Sequence, residues 1–513
     1  MKISLTKVDR LSKATLQCLC AENIPYSGTA TVSNVLTQIT GNLPTCFWSD
    51  LSHRMSYEIP GANFSAYFQN GYWDGRKKLF NKKLLTLPTG LISILRETCK
   101  DHFITLTIKD IRIKPALGNI IPLKGLALRD YQLIGSNTAL SKQRGMIQFP
   151  TGAGKTEMIA DLISKTNLPT LVLIHKQDIF YQLIERLHSR LGIPIGKIGC
   201  GIVYPQNVTV AMIQTVFRAY GGDLKKVKDI DRDDTIIPKP EIIRQCVERS
   251  ECVIIDEAHH TSADIFSEVL PRCTKAFYRW GFSATPFRED GADLLLDAHT
   301  GAVCAKISAS ELIRRGYLAK PSFYLLNFNH GKPPATPYAG FYTQQIVNNM
   351  DRNKLIVQAT LKAVTSGKTC LIAVTRVEHG EVLEALLEEV MPGRVKFAHG
   401  KRDADERKKI LSDLDARNLD VVISTSVFGE GVDCPSLDVL INTKAGQSGV
   451  DALQLAGRAL RVTPTKKTAT IIDIYDDQCK FFGKHSKRRF EVYQSEPEFN
   501  LKKVNSVEDI TFN

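Results

Sequence analysis

The 513-residue chain has no run of about 18 apolar residues, which excludes a helix spanning a bilayer. Its first residues, MKISLTKVDRLSKATL, scatter charges where a signal peptide needs an apolar core, so no secretory leader is expected. Twelve cysteines are present but no CxxC pair; Cys18 and Cys20 are merely close in sequence. Dispersed thiols fit a reduced, cytoplasmic protein better than a metal site or a disulfide framework. No repeat of solenoid period and no nuclease-like acidic cluster is visible. Acidic residues are in short supply: 54 stand against 67 Lys and Arg, giving a net charge of +13 and a pI of about 9.1. That excess suits a polyanionic partner, because Lys and Arg displace counterions from phosphates, though many basic proteins bind none.

What is present is a rhythm. From about residue 145 to 475, short apolar runs alternate with amphipathic stretches, the pattern of parallel sheets covered by helices. The spacing predicts one set of strands at Gly145–Phe149, Thr170–Ile174, Val208–Met212, Cys252–Ile255 and Ala276–Gly281. A second set follows at Thr369–Val374, Val395–Phe397, Val421–Ser424, Val439–Asn442 and Ala469–Ile474. Leu312–Pro321 reads as the connection between them. Tyr220–Arg249 and Phe328–Tyr338 read as loops or insertions. The expected division is an accessory α+β domain over 1–115, two α/β domains over 116–315 and 316–478, and a basic tail over 479–513.

The sharpest local signal is Pro150-Thr151-Gly152-Ala153-Gly154-Lys155-Thr156, between a predicted strand and a helix with apolar Met158, Ile159, Leu162 and Ile163. Glycines let backbone N–H groups converge on phosphate oxygens, helped by the helix dipole. Lys155 would reach the β- and γ-phosphates of ATP, and Thr156 would hold Mg²⁺. Phe149 occupies the place where the strict motif has its first glycine. Asp256-Glu257-Ala258-His259 follows the apolar run Cys252–Ile255. Asp256 would bind Mg²⁺ and Glu257 would polarise the attacking water. Either segment alone could be an ordinary turn; each makes the other chemically necessary.

Taken together, the motifs from about 126 to 476 resemble those of superfamily 2 helicases of the DEAH-type branch. The resemblance implies two tandem RecA-like P-loop domains. Within Leu128-Arg129-Asp130-Tyr131-Gln132 it implies adenine contacts by Arg129 and Gln132, and at Gln214-Thr215 a contact with the tracked strand. Ser283-Ala284-Thr285 would couple hydrolysis to movement. Thr425, with Gly431 and Asp433, would touch nucleic acid and nucleotide. Gln454, Arg458 and Arg461, in QLAGRALR, would supply the arginine-finger motif, with His259 completing the catalytic set. The spacing predicts a helix capped by Ser448, with those three residues on one exposed face and Leu453, Ala456 and Leu460 on the sheet. Without the other motifs, the same face reads as a solvated basic surface. Thr375-Arg376 and His399-Gly400, at strand ends, are candidate phosphate contacts.

In the accessory region, aromatics precede Asp74-Gly75, a hairpin turn signal, and Arg76, Lys77, Lys78, Lys82 and Lys83 follow it. The residues fit a nucleic-acid surface using Trp73, Arg76, Lys77 and Lys78 as well as they fit a solvated hairpin with aromatics packed inward. The Gly-Tyr-Trp-Asp-Gly-Arg segment, with Leu87-Pro88-Thr89-Gly90-Leu91, is similar to the N-terminal domain of UvsW-type phage recombination helicases. That resemblance implies ATP-driven branch migration and fork regression on forked or junction DNA, with 3′-to-5′ tracking and no nuclease; a monomeric, cytoplasmic enzyme (host cytoplasm for a viral one) is expected besides. RNA as substrate, and a motor subunit of a restriction-type complex, are the alternatives the motifs leave open.

Overall fold

Runs rich in Val, Ile and Leu, bounded by amphipathic helices, become strands buried on both faces. The structure, a computed structural model, describes residues 26–59, 61–224, 239–258, 263–284, 293–330, 338–400, 402, 404–425, 436–464, 466–477, 479 and 481–512. They divide into two units, Met1–Gln148 with Thr156–Lys306, and Phe149–Lys155 with Ile307–Asn513.

The first unit is built on an eight-stranded sheet. Its order in space is Ile202–Tyr204, Ile195–Gly199, Val208–Met212, Thr170–Ile174, Cys252–Ile255, Tyr278–Ser283, Arg144–Gln148 and Val303–Lys306. Every pairing is parallel except the antiparallel edge strand Ile202–Tyr204. The strand expected at Ala276–Gly281 starts two residues later. Ile195–Gly199 and Val303–Lys306 were not anticipated, being short and interrupted by lysine and glycine or cysteine.

In the same unit, Ser27–Val32 pairs antiparallel with Leu36–Asn42 and parallel with Thr105–Asp110, and Thr86–Pro88 adds an antiparallel edge. The helices Thr45–Arg54 and Ile92–Asp101 bury Phe47, Leu51, Leu95 and Cys99 against this mixed sheet. The accessory region is not a detached module. Ala298 belongs to its core, Asn34 Nδ2 donates to the Thr274 carbonyl at 3.0 Å, and a Cβ on Gly90 would lie 1.9 Å from the Asp297 carbonyl oxygen.

The second unit carries a seven-stranded, wholly parallel sheet. Its order is Val395–Ala398, Val421–Ser424, Cys370–Ala373, Val439–Asn442, Thr468–Asp477, Lys320–Asn329 and Asn500–Val504. Three expectations need correction. Leu312–Pro321 is not plain connection: it overlaps the helix Ala309–Arg314, capped by Ser308 accepting from the Glu311 N–H, and then enters a ten-residue strand. That strand also takes the first two residues of the loop expected at Phe328–Tyr338, whose residues 331–337 lie outside the described set. Residues 479–513 are not a solvated tail, because the helix Phe482–Gln494 buries Arg489 and Tyr493 and Asn500–Val504 forms the sheet edge. Of the insertion expected at 220–249, the described part includes the helix Pro240–Arg249, started by proline in its first turn.

Candidate nucleotide and nucleic-acid site

Because the central strands are parallel, their carboxyl ends lie along one edge of each sheet, the edge at which open α/β sheets bind ligands. The phosphate-loop candidate leaves that edge after Arg144–Gln148. Gly152 and Gly154 have φ of +84° and +77°, conformations costly for any residue with a Cβ. The turn closes with Ala153 N–H donating to the Pro150 carbonyl at 3.2 Å, and the helix Lys155–Thr166 starts at once. Met158, Ile159, Leu162 and Ile163 anchor that helix in the core, so its N-terminus, with Lys155 and Thr156 half-buried, is held firmly. Backbone N–H groups at a fixed helix start suit a polyphosphate.

Residues 149–155 group with the second unit, and within it they meet the QLAGRALR segment. A Cβ on Gly152 would come 3.1 Å from Leu318, 3.6 Å from the Gly457 carbonyl oxygen and 3.8 Å from Arg461 Cγ. A Cβ on Gly457 would stand 2.8 Å from Thr151 Cβ. Gly457 is therefore required by close approach, and Gly152 by its left-handed backbone.

Asp256 and Glu257 follow the buried strand Cys252–Ile255. Asp256 is buried, and its Oδ1 accepts the Glu257 N–H at 3.0 Å. Glu257 adopts φ of +47°, a left-handed conformation that costs a glutamate about 1–3 kcal/mol. Ser283 ends the strand Tyr278–Ser283 fully buried, with Ala284 next to it. His259, Thr285, Gly431 and Asp433 lie outside the described residues. Gln132 is also buried, and its Oε1 accepts the Arg129 N–H at 2.9 Å, so it caps the helix Asp130–Lys142; the Arg129 guanidinium donates to the Tyr131 hydroxyl at 3.0 Å.

Ser448 caps the helix Gly449–Ala459 as expected, its Oγ accepting from the Asp451 N–H at 3.0 Å. The expected shared face does not form. Gln454 is buried, and the helix stops at Ala459, so Arg461 lies beyond it in an antiparallel bridge with Leu318. Ala452, Leu455, Ala456 and Ala459 form the buried stripe, with Leu453 only half-buried. Lys466 fixes this helix end by donating to the Ala459 carbonyl at 2.6 Å.

Ahead of that helix, four successive carbonyls are each held by a side chain. Thr443 accepts from Arg352 at 3.1 Å, Lys444 from Tyr342 at 2.9 Å, Ala445 from His485 at 3.1 Å and Gly446 from Arg489 at 2.8 Å. The two arginines are themselves neutralised in the interior. Arg352 pairs with Asp476 at 2.7 Å, and Arg489 with Asp473 at 2.7 Å. Burial alone would raise the Asp476 carboxyl, but Arg352 and His330 hold it down at about 2. His485 and Arg489 were expected only as part of a basic tail similar to the endings of related DNA motors, and Arg352, Tyr342, Asp473 and Asp476 were not singled out from the sequence. The available signal was that two of the three aspartates of the strand Thr468–Asp477, Asp473 and Asp476, fall within or beside its apolar run and must each find a buried cation.

The strand-contact candidates are placed unevenly. Gln214 is buried and donates to the His175 carbonyl at 2.6 Å, with Thr215 buried beside it, so both brace the sheet edge. Thr375 donates to the Lys444 carbonyl at 3.3 Å, and Arg376 is bonded to Thr343 at 2.6 Å over the Tyr342 ring. Thr425 is buried, its carbonyl accepting from Ser424 at 2.8 Å, whereas Gly400 is exposed and His399 packs by Phe397. In the accessory region the hairpin expectation is corrected: Asp74-Gly75 does not join adjacent strands, since Arg76–Lys78 pairs with Ser56–Glu58. Arg76 is spent on Ser56 and Glu58, Trp73 donates to the Arg76 carbonyl at 3.0 Å, and Lys78 pairs with Asp74 at 2.8 Å. Lys77 is half-buried between them.

Comparison with known proteins accounts for this plan. Residues 125–288 match the family model described as type III restriction enzyme, res subunit, and residues 351–463 match the helicase conserved C-terminal domain. Helicase 22 of a Sulfolobus islandicus filamentous virus is 26% identical over 396 residues, covering 69% of this chain and 65% of that protein. The DNA 3′-5′ translocase XPB2 of Sulfurisphaera tokodaii is 25% identical over 384 residues, 68% of this chain and 81% of that one. The ATP-dependent DNA helicase uvsW of Enterobacteria phage T4 is 22% identical over 462 residues, 83% of this chain and 86% of that one.

Proposed function

The chain belongs to superfamily 2 of the helicases, ATP-dependent nucleic-acid motors, and from that footing we propose that its substrate is branched DNA, on which it migrates junctions and regresses forks as a monomer. The observations that support this reading are, in the first unit, the strands Arg144–Gln148, Cys252–Ile255 and Tyr278–Ser283 running parallel in one sheet, so that Asp256-Glu257 and Ser283-Ala284 lie at the same edge, and, in the second, the close approach of Gly457 and Arg461 to Thr151 and Gly152. DNA is favoured over RNA because the archaeal and phage relatives are a DNA translocase and a DNA helicase.

The residues fit ATP with Mg²⁺. The left-handed glycines form a cradle that a Cβ would fill, and Thr156 and Asp256 offer hard oxygen donors suited to Mg²⁺. ATP bound there supplies the phosphoryl group, and the chain's own groups do the rest. Lys155 neutralises phosphate charge, Glu257 orients a water and takes its proton, and Arg458 and Arg461 stabilise charge that grows as the bond to the leaving phosphate breaks. Gln132, Arg129, Thr151 and Ala153 position the nucleotide. Gln214, Thr215, Thr375, His399 and Thr425 position the strand, several of them through the backbone they hold.

Unwinding and branch migration can be measured with labelled forks and four-way junctions. The chain is expected to convert junctions to products with ATP and to be inert as Lys155→Ala. Processing of plain 3′-tailed duplex at an equal or higher rate than junctions would contradict branched-DNA specificity, and faster processing of RNA would contradict the choice of DNA.

A further inference from the structure

We propose that residues 61–72 of the accessory region form an aromatic knuckle that stacks on unpaired DNA bases at the branch, with Lys82 and Lys83, beyond the far end of the strand Arg76–Lys78, holding phosphates farther along the same DNA. The inference rests on the DNA-motor reading and names the part of the chain that would read the branch.

Three rings in this short segment are turned to solvent: Phe64 is 82% exposed, Tyr67 70% and Tyr72 81%. Exposure of one large apolar residue is ordinary, but three within nine residues form a patch that calls for a partner. The segment is not exposed for want of structure. Its ends are tied by Ile59 N–H donating to the Gly75 carbonyl at 2.9 Å, and Tyr72 N–H donates to the Tyr67 carbonyl at 2.9 Å. Gln69 donates to the Asn63 carbonyl at 3.2 Å. Phe68 packs against Gly75, where a Cβ would come within 3.0 Å of its ring. The knuckle is thus held by its own hydrogen bonds and preorganised, with the Trp73 and Arg76 side chains bracing its base.

Charge selects the partner. Between 61 and 84 there are five Lys or Arg and one acidic residue. Asp74 is already paired with Lys78. Lys82 and Lys83 are exposed at a turn fixed by Asn81, whose Oδ1 accepts the Lys83 and Leu84 N–H groups at 3.0 and 3.1 Å. Rings beside phosphate-binding cations are how proteins hold single-stranded nucleic acid without reading its sequence. A paired duplex hides its base faces, so such a surface gains most where bases are unpaired, at a fork or junction.

The test uses the full chain without nucleotide, a fork carrying 2-aminopurine at the first unpaired position, and a blunt duplex of the same length. Tyr67→Ala with Tyr72→Ala is expected to weaken fork binding by about 10-fold or more per ring and to abolish the change in 2-aminopurine fluorescence, with duplex affinity unchanged. Tyr72→Phe should behave as the native chain, because a phenyl ring still stacks. Lys82→Ala with Lys83→Ala should weaken both ligands and make the log–log salt dependence shallower by about 2. If the double tyrosine variant binds the fork normally, or loses fork and duplex equally, the knuckle is not a base-stacking surface and belongs to a protein partner or to none. DNA-stimulated ATPase measured in parallel separates the two claims. Stimulation intact with unchanged variants overturns the knuckle alone, and a native chain indifferent to DNA overturns both.

Discussion

Glu257 holds a backbone conformation that glutamate rarely adopts, one residue after a buried aspartate that accepts its N–H. On the proposed reading the glutamate carboxylate handles the attacking water, so its chemistry and not its packing should dominate the effect of replacing it. Glu257→Gln is expected to lower ATP turnover by about 10²- to 10⁴-fold while leaving nucleotide affinity near native, as read by steady-state hydrolysis and nucleotide titration. Arg458→Ala should lower turnover by about 10³-fold or more with little change in affinity; loss of affinity alone would assign Arg458 to binding. A different residue-scale effect belongs to the interior. Burial holds His299 and His379 neutral, each with its pKa lowered from 6.5 to about 3. In the unfolded chain both take up protons below 6.5, whereas the folded chain resists until about 3, so stability is full above 6.5 and falls with pH through that window. The urea midpoint should drop on acidification, and His379→Gln should flatten the slope, one group contributing about 1.4 kcal/mol per pH unit at most. An unchanged slope would show that His379 takes up its proton alike in the folded and unfolded chains.

At the scale of elements, the stretch Thr443–Gly446 shows how the helix Gly449–Ala459 is aimed. Each of its carbonyls has a donor, and Ala445 takes φ of +51°. Arg489→Ala would release Gly446 and leave Asp473 buried without its cation, at a cost of about 3–5 kcal/mol in urea unfolding. Arg489→Lys should cost less, since charge is kept and only the fork is lost. Equal stability of Arg489→Ala and the native chain would contradict the clamp. None of this was legible in the sequence, because the partners lie far apart along the chain and only the sheet brings them together. The central strands were legible because strands buried on both faces must be apolar throughout: Thr170–Ile174, Val208–Met212, Cys252–Ile255, Val421–Ser424 and Val439–Asn442 fall where the runs predict. Edge strands escaped because one side is solvated or covered by loops and the apolar signal fades, as in Asn500–Val504 with its two lysines. The motif residues could be found by type and spacing, but not by orientation. Periodicity alone placed Gln454, Arg458 and Arg461 on one helix face, and the helix end at Ala459 undid it.

For the whole molecule, an excess of 13 positive charges and a phosphate-binding loop are consistent demands of one activity, in which nucleic acid must be held while a nucleotide turns over. Binding should be strongly salt-dependent, since contact with about six phosphates implies a loss of about 10³-fold in affinity between roughly 50 and 200 mM salt. Among the described residues no helix is long and apolar enough to cross a membrane. The accessory region is fused to the first unit through Gly90 and Asn34, so a fork bound to the knuckle is bound to the sheet that carries Asp256 and Glu257. The most direct test of the motor is the rate of ATP hydrolysis titrated with single-stranded DNA, duplex, fork, four-way junction and RNA. A steep rise with DNA, greatest for fork and junction and absent in Lys155→Ala and Arg458→Ala, is the predicted result. Hydrolysis that is indifferent to every DNA, or that persists without Lys155, would contradict it.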